Sequence, residues 1–164
     1  MARLVINSTL TDINFCLQLP PYSAEFVQEL VALNNLIFGD IDPNYVRWRL
    51  DNMPHTSTFY AESASELTAY KIGYAMTQTK YYSWLGGVHP DHRREGLASE
   101  LMKRQHNWAA EQGYQLIETS ANKENVAMAR LNLSHGFTIC GTRAEPDRIQ
   151  VLYLKILAKS SNAR

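Results

Sequence analysis

The segment from Val88 to Ala98, with the sequence VHPDHRREGLA, carries the densest set of residues that could do chemistry. It combines two histidines and two arginines with a glycine and an alanine two residues apart. The first backbone N–H groups of a helix have no partners within the helix, and the helix dipole favours negative charge there. Gly96 has no Cβ and lets a ligand approach the backbone closely. A strand before this loop and a helix after it would together make a site for a pyrophosphate.

The competing interpretation is a tight turn between a strand and a helix, with a solvated basic face. That interpretation leaves His89, His92, Arg93 and Arg94 clustered without a role. Two other phosphate-binding loops fit less well. The sequence has no Gly-x-Gly-x-x-Gly of a dinucleotide-binding fold, and no Gly-Lys followed by Ser or Thr of a P-loop.

Hydrophobic periodicity predicts the elements that would position this loop. The expected order is β-α-α-β-β-β-α-β-α-β-β. The predicted strands cover residues 13–19, 56–61, 69–79, 81–88, 114–120, 136–141 and 149–157, and the main helices cover 23–39, 97–112 and 122–134, with a short helix after Asp42. This order predicts an α/β (α+β) fold with a mixed, mostly antiparallel twisted sheet of about six or seven strands and helices on both faces.

Single residues mark several of these boundaries. Ser23 and Asp42 are expected to cap helices at their N-termini, and Gly39 is expected to end the first helix. Gly73 lies inside a strand pattern, which predicts a bulge or a close approach of backbone. Residues 4–6 are apolar and would make a short strand or a docked tail.

Composition limits the classes of function. The chain has 164 residues, which suits a single domain over 1–164, with a core from about 13 to 157 and a polar tail from 158 to 164. Sixteen basic and sixteen acidic side chains give no net charge, which disfavours nucleic acid as the main partner. No apolar run approaches the ~20 residues of a membrane span, and no signal peptide is recognisable.

Two cysteines, Cys16 and Cys140, are far apart in the sequence and lie in apolar runs. We therefore expect reduced, buried thiols and a cytoplasmic protein. No group of His, Cys, Asp and Glu has the spacing of metal ligands, so we expect no metal.

Two segments resemble the Gcn5-related N-acetyltransferase (GNAT) family. The first is the loop itself, which is similar to the family's motif Gln/Arg-x-x-Gly-x-Gly/Ala through Arg93, Gly96 and Ala98. The second runs from Asn125 to Phe137 and is similar to the family's Asn…Leu…Gly-Phe segment. The separation of the two motifs and the order of the predicted elements also match the family pattern. The resemblance therefore covers about residues 13–157.

This resemblance implies acetyl-CoA as the cosubstrate. The backbone amides from Arg93 to Ser99 would bind its pyrophosphate, and the strand ending at Val88 would pair with the pantetheine. The Val88 amide would polarise the thioester carbonyl, and Asn125 would hydrogen-bond the pantetheine where strands four and five splay apart. The implied cofactor-binding residues are Val88, His89, Arg93, Arg94, Glu95, Gly96, Leu97, Ala98, Ser99 and Asn125.

The sequence departs from the family pattern in three places. Arg93-Arg94-Glu95 replaces the more usual Arg-Gly-Arg, so one glycine is lost. Asn132 occupies the position of a Tyr that protonates the leaving thiolate; Asn is no useful acid near neutral pH, although its amide can donate a hydrogen bond to sulfur. The strand before the loop offers no carboxylate as a base. Glu62, at the end of the second strand, is a candidate base, with a solvated strand end as the competing interpretation.

The expected function is direct transfer of acetyl from acetyl-CoA to a primary amine of a small molecule, a peptide or a protein. Val88, Asn132 and Glu62 are the candidate catalytic residues. A catalytically impaired CoA-binding sensor or interaction module is the alternative, because the Tyr and the usual base are missing. The resemblance also allows a homodimer. Aromatic side chains would line an acceptor pocket or simply pack in the core: Tyr45, Trp48, Tyr70 and Tyr82.

Overall fold

A computed structural model describes residues 12–158. The predicted short strand at residues 4–6 and residues 159–164 of the predicted tail lie outside this range. The strands are β1 Ile13–Gln18, β2 Ser57–Ser63, β3 Glu66–Ala75, β4 Lys80–Val88, β5 Leu116–Asn122, β6 Thr138–Glu145 and β7 Arg148–Ile156. The helices are α1 Ala24–Phe38, α2 Pro43–Asn52, α3 Leu97–Glu111 and α4 Val126–Ser134.

The seven strands form one sheet in the order β1-β2-β3-β4-β5-β7-β6. Every neighbouring pair is antiparallel except β4 and β5, which are parallel and are joined through α3. Parallel neighbours need such a crossover, whereas antiparallel neighbours need only a turn. This architecture confirms the predicted mixed, mostly antiparallel sheet.

The helices cover both faces of the sheet. Alternate residues of β3 point to opposite faces of the sheet. Tyr70 and Ile72 pack with α1 and α2 on one face, and Ala69 packs with Leu97 and Leu101 of α3 on the other. Residues of α4 pack on the same side as α3. Within residues 12–158, no helix is long and apolar enough to span a membrane.

The predicted helix caps on this scaffold are confirmed. The Ser23 side chain accepts a hydrogen bond from the Phe26 amide at 3.1 Å, and the Asp42 side chain accepts one from the Asn44 amide at 2.9 Å. Gly39 ends α1 with a φ of 88°, a left-handed value that favours glycine.

Several predicted boundaries are wrong. The strand expected at 136–141 spans Thr138–Glu145, and the end of β3 and the start of α4 also differ. We expected β3 to run on to Thr79, but Met76 starts a turn in which its amide donates to the Lys80 carbonyl at 2.9 Å. We expected α4 from residue 122, but β5 continues to Asn122, and Asn125 is the N-cap because its side chain accepts from the Met128 amide at 3.0 Å.

The prediction for Cys140 is also wrong. Cys16 is buried as expected, whereas Cys140 is exposed. It lies on β6 at the edge of the sheet, where the register with β7 shifts between Ile139 and Gly141 and leaves Cys140 without a partner. Apolar neighbours in the sequence do not bury a residue when its strand has no layer covering it.

The bulge predicted at Gly73 is confirmed. The register between β3 and β4 passes from Ile72↔Leu85 to Gly73↔Ser83, so Trp84 is the extra residue on β4. A Cβ at Gly73 would collide with the Tyr81 ring and would lie 2.7 Å from the Tyr82 carbonyl oxygen. Glycine therefore permits the close approach of the two strands beside the bulge.

Candidate active site

The centre of the sheet contains a wedge between β4 and β5. The two strands pair only from Lys80↔Leu116 to Ser83↔Thr119. The next residue of β4 is Trp84, the bulged residue, and the strands separate from this point. The wedge therefore opens where a bulge redirects β4, at the carboxyl ends of two parallel strands.

Backbone amides of β4 face this wedge. The His89 amide donates to the Thr68 carbonyl of the β3 side at 2.7 Å. Successive residues of a strand direct their N–H groups to opposite edges, so residues two apart share an edge. The amides of Gly86 and Val88 therefore point away from β3, towards β5, in the part of β4 that has no β5 partner.

The loop after β4 leads into an uncapped helix N-terminus. Arg94 and Gly96 have left-handed φ values of 64° and 78°, and Gly96 is the N-cap of α3 without a side-chain cap. The first amide of α3 bonded along the helix is that of Glu100, which donates to the Gly96 carbonyl at 3.0 Å. The amides of Leu97, Ala98 and Ser99 therefore have no partner within the helix. Three N–H groups and the positive end of the helix dipole thus face one anion site.

A continuous cavity of about 1520 Å³, here the central cavity, joins the wedge, the loop, α4 and the segment between α1 and α2. It brings together most of the predicted cofactor-binding residues: Val88, Arg93, Arg94, Gly96, Leu97, Ala98, Ser99 and Asn125. His89 and Glu95 do not line it. The His89 ring accepts from the Asp91 amide at 3.1 Å, and Glu95 lies 3.3 Å from the His92 ring nitrogen.

Two of the three candidate catalytic residues are placed outside the central cavity. Glu62 lies on β2 opposite Asn14 and does not line the cavity. Asn132 is 1% exposed on the inner side of α4, and neither polar atom of its side chain has a hydrogen-bond partner within residues 12–158. Val88 lines the cavity, with its amide facing the wedge. The involvement of Glu62 and Asn132 in the chemistry therefore stays a prediction that their positions do not support.

Lys71 is a cavity residue that the sequence analysis missed. It lies on β3 opposite Gly86, on the face that α3 covers. Its side chain is half-buried, and no carboxylate of residues 12–158 forms an ion pair with it. Burial lowers the pKa of Lys71 to about 8. Nothing in the sequence indicated that Lys71 lines a cavity, because a lysine inside a strand pattern is usually solvated.

Two polar contacts join α3 to the end of α4 and to β7. The Ser99 hydroxyl lies 2.7 Å from Nε2 of His135, and Lys155 Nζ lies 2.9 Å from Nδ1 of His106. Burial, followed by the charge of Lys155 and then Lys71, lowers the pKa of His106 to about 3. Burial and nearby lysines also lower the pKa of His135. Both imidazoles are therefore neutral at pH 7, and the positive charge in this region belongs to the lysines.

The opposite face of the sheet carries a row of rings along the central cavity, here the aromatic wall, made of Tyr45, Tyr74, Tyr82 and Trp84. Ring centroids are 5.5 Å apart for Tyr74 and Tyr82 and 6.0 Å for Tyr45 and Trp84. Of the predicted acceptor aromatics, Tyr45, Tyr70 and Tyr82 line the cavity, and Trp48 does not.

Two polar groups lie at the same face of the wedge. The Tyr82 hydroxyl is 2.9 Å from the Ser120 hydroxyl. Glu118 is half-buried, lines the central cavity and pairs with Lys80 at 3.0 Å. Glu118 is thus a carboxylate near the end of the β4–β5 pairing that the sequence analysis did not single out; its position on β5 beside β4 is a property of the sheet order.

Within the described part of the chain, no group of three or more His, Cys, Asp or Glu side chains could hold a metal ion. The arrangement has instead an anion site of backbone amides, a wedge with free β4 amides, and an aromatic face opposite. It can hold an extended ligand that begins with phosphates, and it can present the ligand's far end to a second molecule.

Solved structures share this fold. The ribosomal-protein-S18-alanine N-acetyltransferase from Escherichia coli has a TM-score of 0.75 and 12% identity, with 90% of this chain and 98% of that chain covered. Ard1 from Thermoplasma volcanium has a TM-score of 0.77 and 14% identity, with 88% and 99% covered. The structure of yncA from Salmonella typhimurium with its cofactor acetyl-CoA has a TM-score of 0.67 and 16% identity, with 92% and 98% covered.

At these identities the likeness concerns the fold. No curated protein sequence matches the chain. The sequence model of the acetyltransferase (GNAT) family matches residues 27–137, which include the wedge, the loop and α4. This match spans more than half of the chain, and the chain therefore belongs to the acetyltransferase (GNAT) family.

Proposed function

We propose that the protein transfers acetyl from acetyl-CoA directly to a primary amine. The observation that carries the proposal is the continuity of one cavity from the uncapped N-terminus of α3, through the β4–β5 wedge, to the aromatic wall. One end of this path suits a pyrophosphate, the middle suits an amide-containing chain, and the far end is open to an acceptor.

The first part of the proposal concerns the cosubstrate. The amides of Leu97, Ala98 and Ser99 bind the pyrophosphate, and the exposed side chains of Arg93 and Arg94 add positive charge. The free amides of β4 pair with the pantetheine as an added strand would. Asn125 uses its side-chain oxygen to cap α4 at 3.0 Å, which leaves its amide N–H groups free for the pantetheine.

The second part concerns the attack on the thioester. A neutral amine attacks the carbonyl carbon, and negative charge develops on the carbonyl oxygen. A fixed backbone N–H aimed at that oxygen contributes about 3 kcal/mol to the stability of the transition state. The amides of Gly86 and Val88 are the available donors, and Val88 was the donor that the sequence analysis named. Holding amine and thioester side by side supplies much of the remaining rate enhancement.

The attacking amine must lose a proton. We infer that Glu118 receives it, because its carboxylate lines the central cavity on the side of the aromatic wall. The ion pair with Lys80 at 3.0 Å holds this carboxylate in position. Glu62 has no such access to the cavity.

The leaving thiolate must gain a proton. We infer that Lys71 donates it, since its side chain lines the cavity whereas Asn132 does not. A pKa of about 8 leaves the Lys71 amine protonated at pH 7 and able to release its proton at low cost. The S–C bond breaks, the proton passes from Nζ to sulfur, and water protonates Lys71 again.

Calorimetry with acetyl-CoA and a thiol-release assay on a panel of primary amines test this function. The expected result is a dissociation constant of roughly 1–100 μM together with amine-dependent release of CoA. Binding without release on any amine would establish the alternative, a CoA-binding sensor or interaction module. Absence of acetyl-CoA binding would overturn both.

A further inference from the structure

Arg49 of α2 is held in a fixed position beside the central cavity by aromatic residues. Its guanidinium carbon lies 5.2 Å from the centroid of Tyr45, 5.4 Å from that of Tyr74 and 5.3 Å from that of Trp84. Its Nε donates to the Tyr45 hydroxyl at 3.0 Å, and Nη1 donates to the Tyr74 hydroxyl at 2.6 Å. Three rings and two hydrogen bonds therefore fix the plane of this cation.

The charge of Arg49 has no acidic counterpart within residues 12–158, since no carboxylate there forms an ion pair with it. Other arginines of the chain differ: Arg47 pairs with Asp51 at 2.6 Å, Arg104 with Glu100 at 2.8 Å, and Arg148 with Glu145 at 2.6 Å. Tyrosine hydroxyls orient a guanidinium without neutralising it. Arg49 thus carries a full positive charge next to apolar rings.

The guanidinium also keeps unused donors. It has five N–H groups, and the two tyrosine hydroxyls take two of them, which leaves three. Arginine binds carboxylates with two parallel N–H donors, and such charge-assisted hydrogen bonds are about twice as strong as neutral ones. Arg49 is half-buried, lines the cavity, keeps free donors and forms no ion pair within the described residues, so it is equipped to bind an oxyanion of a ligand.

The aromatic wall connects this cation to the wedge. Trp84 is the bulged residue at which β4 leaves β5, and its ring contacts both Tyr74 and Arg49. Tyr82, 5.5 Å from Tyr74, reaches Ser120 on the opposite side of the wedge. A molecule lying on this wall near the wedge would therefore meet apolar rings and the positive charge of Arg49 together.

We propose that the acceptor is an amine that also carries a carboxylate, held by Arg49, with an apolar body lying on the aromatic wall. This inference rests on the proposed acetyl transfer and names the class of its acceptor. At the position of Arg49 itself, a cationic group on the acceptor would be repelled where a carboxylate is bound. The separation between the amine and the carboxylate of the acceptor is determined by comparing acceptors of increasing length.

The experiment uses pairs of acceptors that differ by the carboxylate alone: phenylalanine with phenethylamine, methionine with 3-(methylthio)propylamine, and amino acids of increasing length with the matching alkylamines. Acetylation is followed by CoA release and by mass of the product. For at least one pair, kcat/KM is expected to be roughly 30-fold or more higher for the carboxylate-bearing member, through a lower KM. Equal rates within every pair, or acetylation confined to amines without a carboxylate, would overturn the inference.

Variants of the same helix assign the preference to Arg49. Arg49→Met is expected to remove the difference in kcat/KM between the two members of an acceptor pair, because the carboxylate loses its partner. Arg49→Lys keeps the charge but loses the planar pair of donors, so it should retain a part of the preference. Arg47→Met is the matched control. Arg47 lies outside the central cavity, and its variant removes the ion pair with Asp51 and a hydrogen bond to the Tyr22 carbonyl. A preference that survives in folded Arg49→Met would exclude Arg49 as the carboxylate site.

Acetyl-CoA binding, measured by calorimetry on the same preparations, separates the two proposals. If Arg49→Met loses the carboxylate preference and binds acetyl-CoA as the wild type does, the substitution has changed the acceptor site alone. Absence of acetyl-CoA binding in the wild-type protein would remove the proposed function itself. Binding and transfer that show no dependence on the carboxylate would leave acetyl transfer standing and refute the acceptor class.

Discussion

Lys71 and Gly86 lie opposite each other on β3 and β4, and the Cγ of Lys71 is 3.5 Å from the point that a Cβ on Gly86 would occupy. The Lys71 side chain therefore extends over a glycine, on the face of β4 that α3 covers. The absence of a side chain at Gly86 gives the lysine room beside the wedge. This contact puts an amine close to the strand whose amides we assign to the thioester.

Replacing Lys71 should slow the chemical step. Lys71→Met removes the proposed proton donor, and we expect kcat to fall roughly 100-fold with little change in the acetyl-CoA dissociation constant. Lys71→Arg keeps the charge but cannot release a proton near neutral pH, so it should remain slow. Stopped-flow measurement of CoA release as a function of pH checks this. Full activity of Lys71→Arg would show that a positive charge at this position is enough for the reaction, and it would contradict the role of Lys71 as proton donor.

The same variant should change stability in a pH-dependent way. The pKa of Lys71 is lowered from 10.5 to about 8 by burial, so the fold disfavours the charged amine. Below pH 8 the amine is charged in the folded and unfolded states, and the cost of burying the charge is present in full. Between pH 8 and 10.5 the folded protein releases the proton first, so the free energy of unfolding rises with pH.

Lys71→Met should therefore raise the free energy of unfolding at pH 7 by about 1–3 kcal/mol. This gain should shrink as the pH increases towards 10.5. Urea unfolding of both proteins at pH 7 and near pH 10 measures it. A gain independent of pH would mean that the apolar side chain, rather than the lost charge, stabilises the variant.

Two glycines at opposite ends of α3 form a matched pair for testing the anion site. Gly96 and Gly113 have left-handed φ values of 78° and 93°, and a Cβ on either would meet no atom within 4 Å. Alanine at either position should cost a similar ~1 kcal/mol of stability. Only Gly96 lines the central cavity, so only Gly96→Ala should weaken acetyl-CoA binding, by roughly 10-fold or more in calorimetry. Equal affinities of the two variants would contradict the anion site.

Removal of the Glu118 carboxylate should slow transfer most at low pH. In Glu118→Gln, the acceptor must arrive already neutral, so we expect a rate loss of roughly 100-fold that diminishes as the pH approaches the pKa of the free amine. Glu145→Gln is the control, because Glu145 also lines the cavity, pairs with an arginine and has the same side-chain exposure of 25%. Similar losses in both variants would point to cavity charge rather than proton transfer.

Asn132 should tolerate an apolar replacement. Its side chain is 1% exposed, and its two polar atoms have no partner within the described residues. Leucine has a similar volume and removes the unsatisfied polar groups, so Asn132→Leu should unfold at an equal or higher temperature than the wild type. The rate of CoA release should change by less than about threefold. A loss of activity in a stable variant would restore Asn132 as a participant in the reaction.

The parts of the site that depend on local geometry were predictable from the sequence. A basic loop with Gly96 before a helix pattern predicts an uncapped helix N-terminus, because caps and dipoles depend on residues within one turn. Asn125 was placed on α4 by its resemblance to the family, and its capping bond follows from its neighbours. Gly73 indicated the bulge, although the sequence did not show that Trp84 on the partner strand would be the extra residue.

The groups that we propose to act on the reacting atoms could not be predicted in this way. The end of the second strand suggested Glu62, and the family resemblance suggested Asn132. The register of β2 and the packing of α4 place both outside the cavity. Lys71, Glu118 and Arg49 line the cavity instead. No spacing in the chain relates them, since they come from β3, β5 and α2.

The sequence alone determined the order of strands and helices, the family and the anion loop at Gly96, because these depend on periodicity and on contacts between near neighbours. The tertiary structure decided which amides of β4 face the wedge, which lysine lies beside Gly86 and that Arg49 lies against three aromatic rings at the cavity. These properties arise from pairing between strands that are distant in sequence and from burial on a particular face. A shift of one residue in the register of β4 against β3 would reverse the edge that the β4 amides face and would change the residue opposite Lys71.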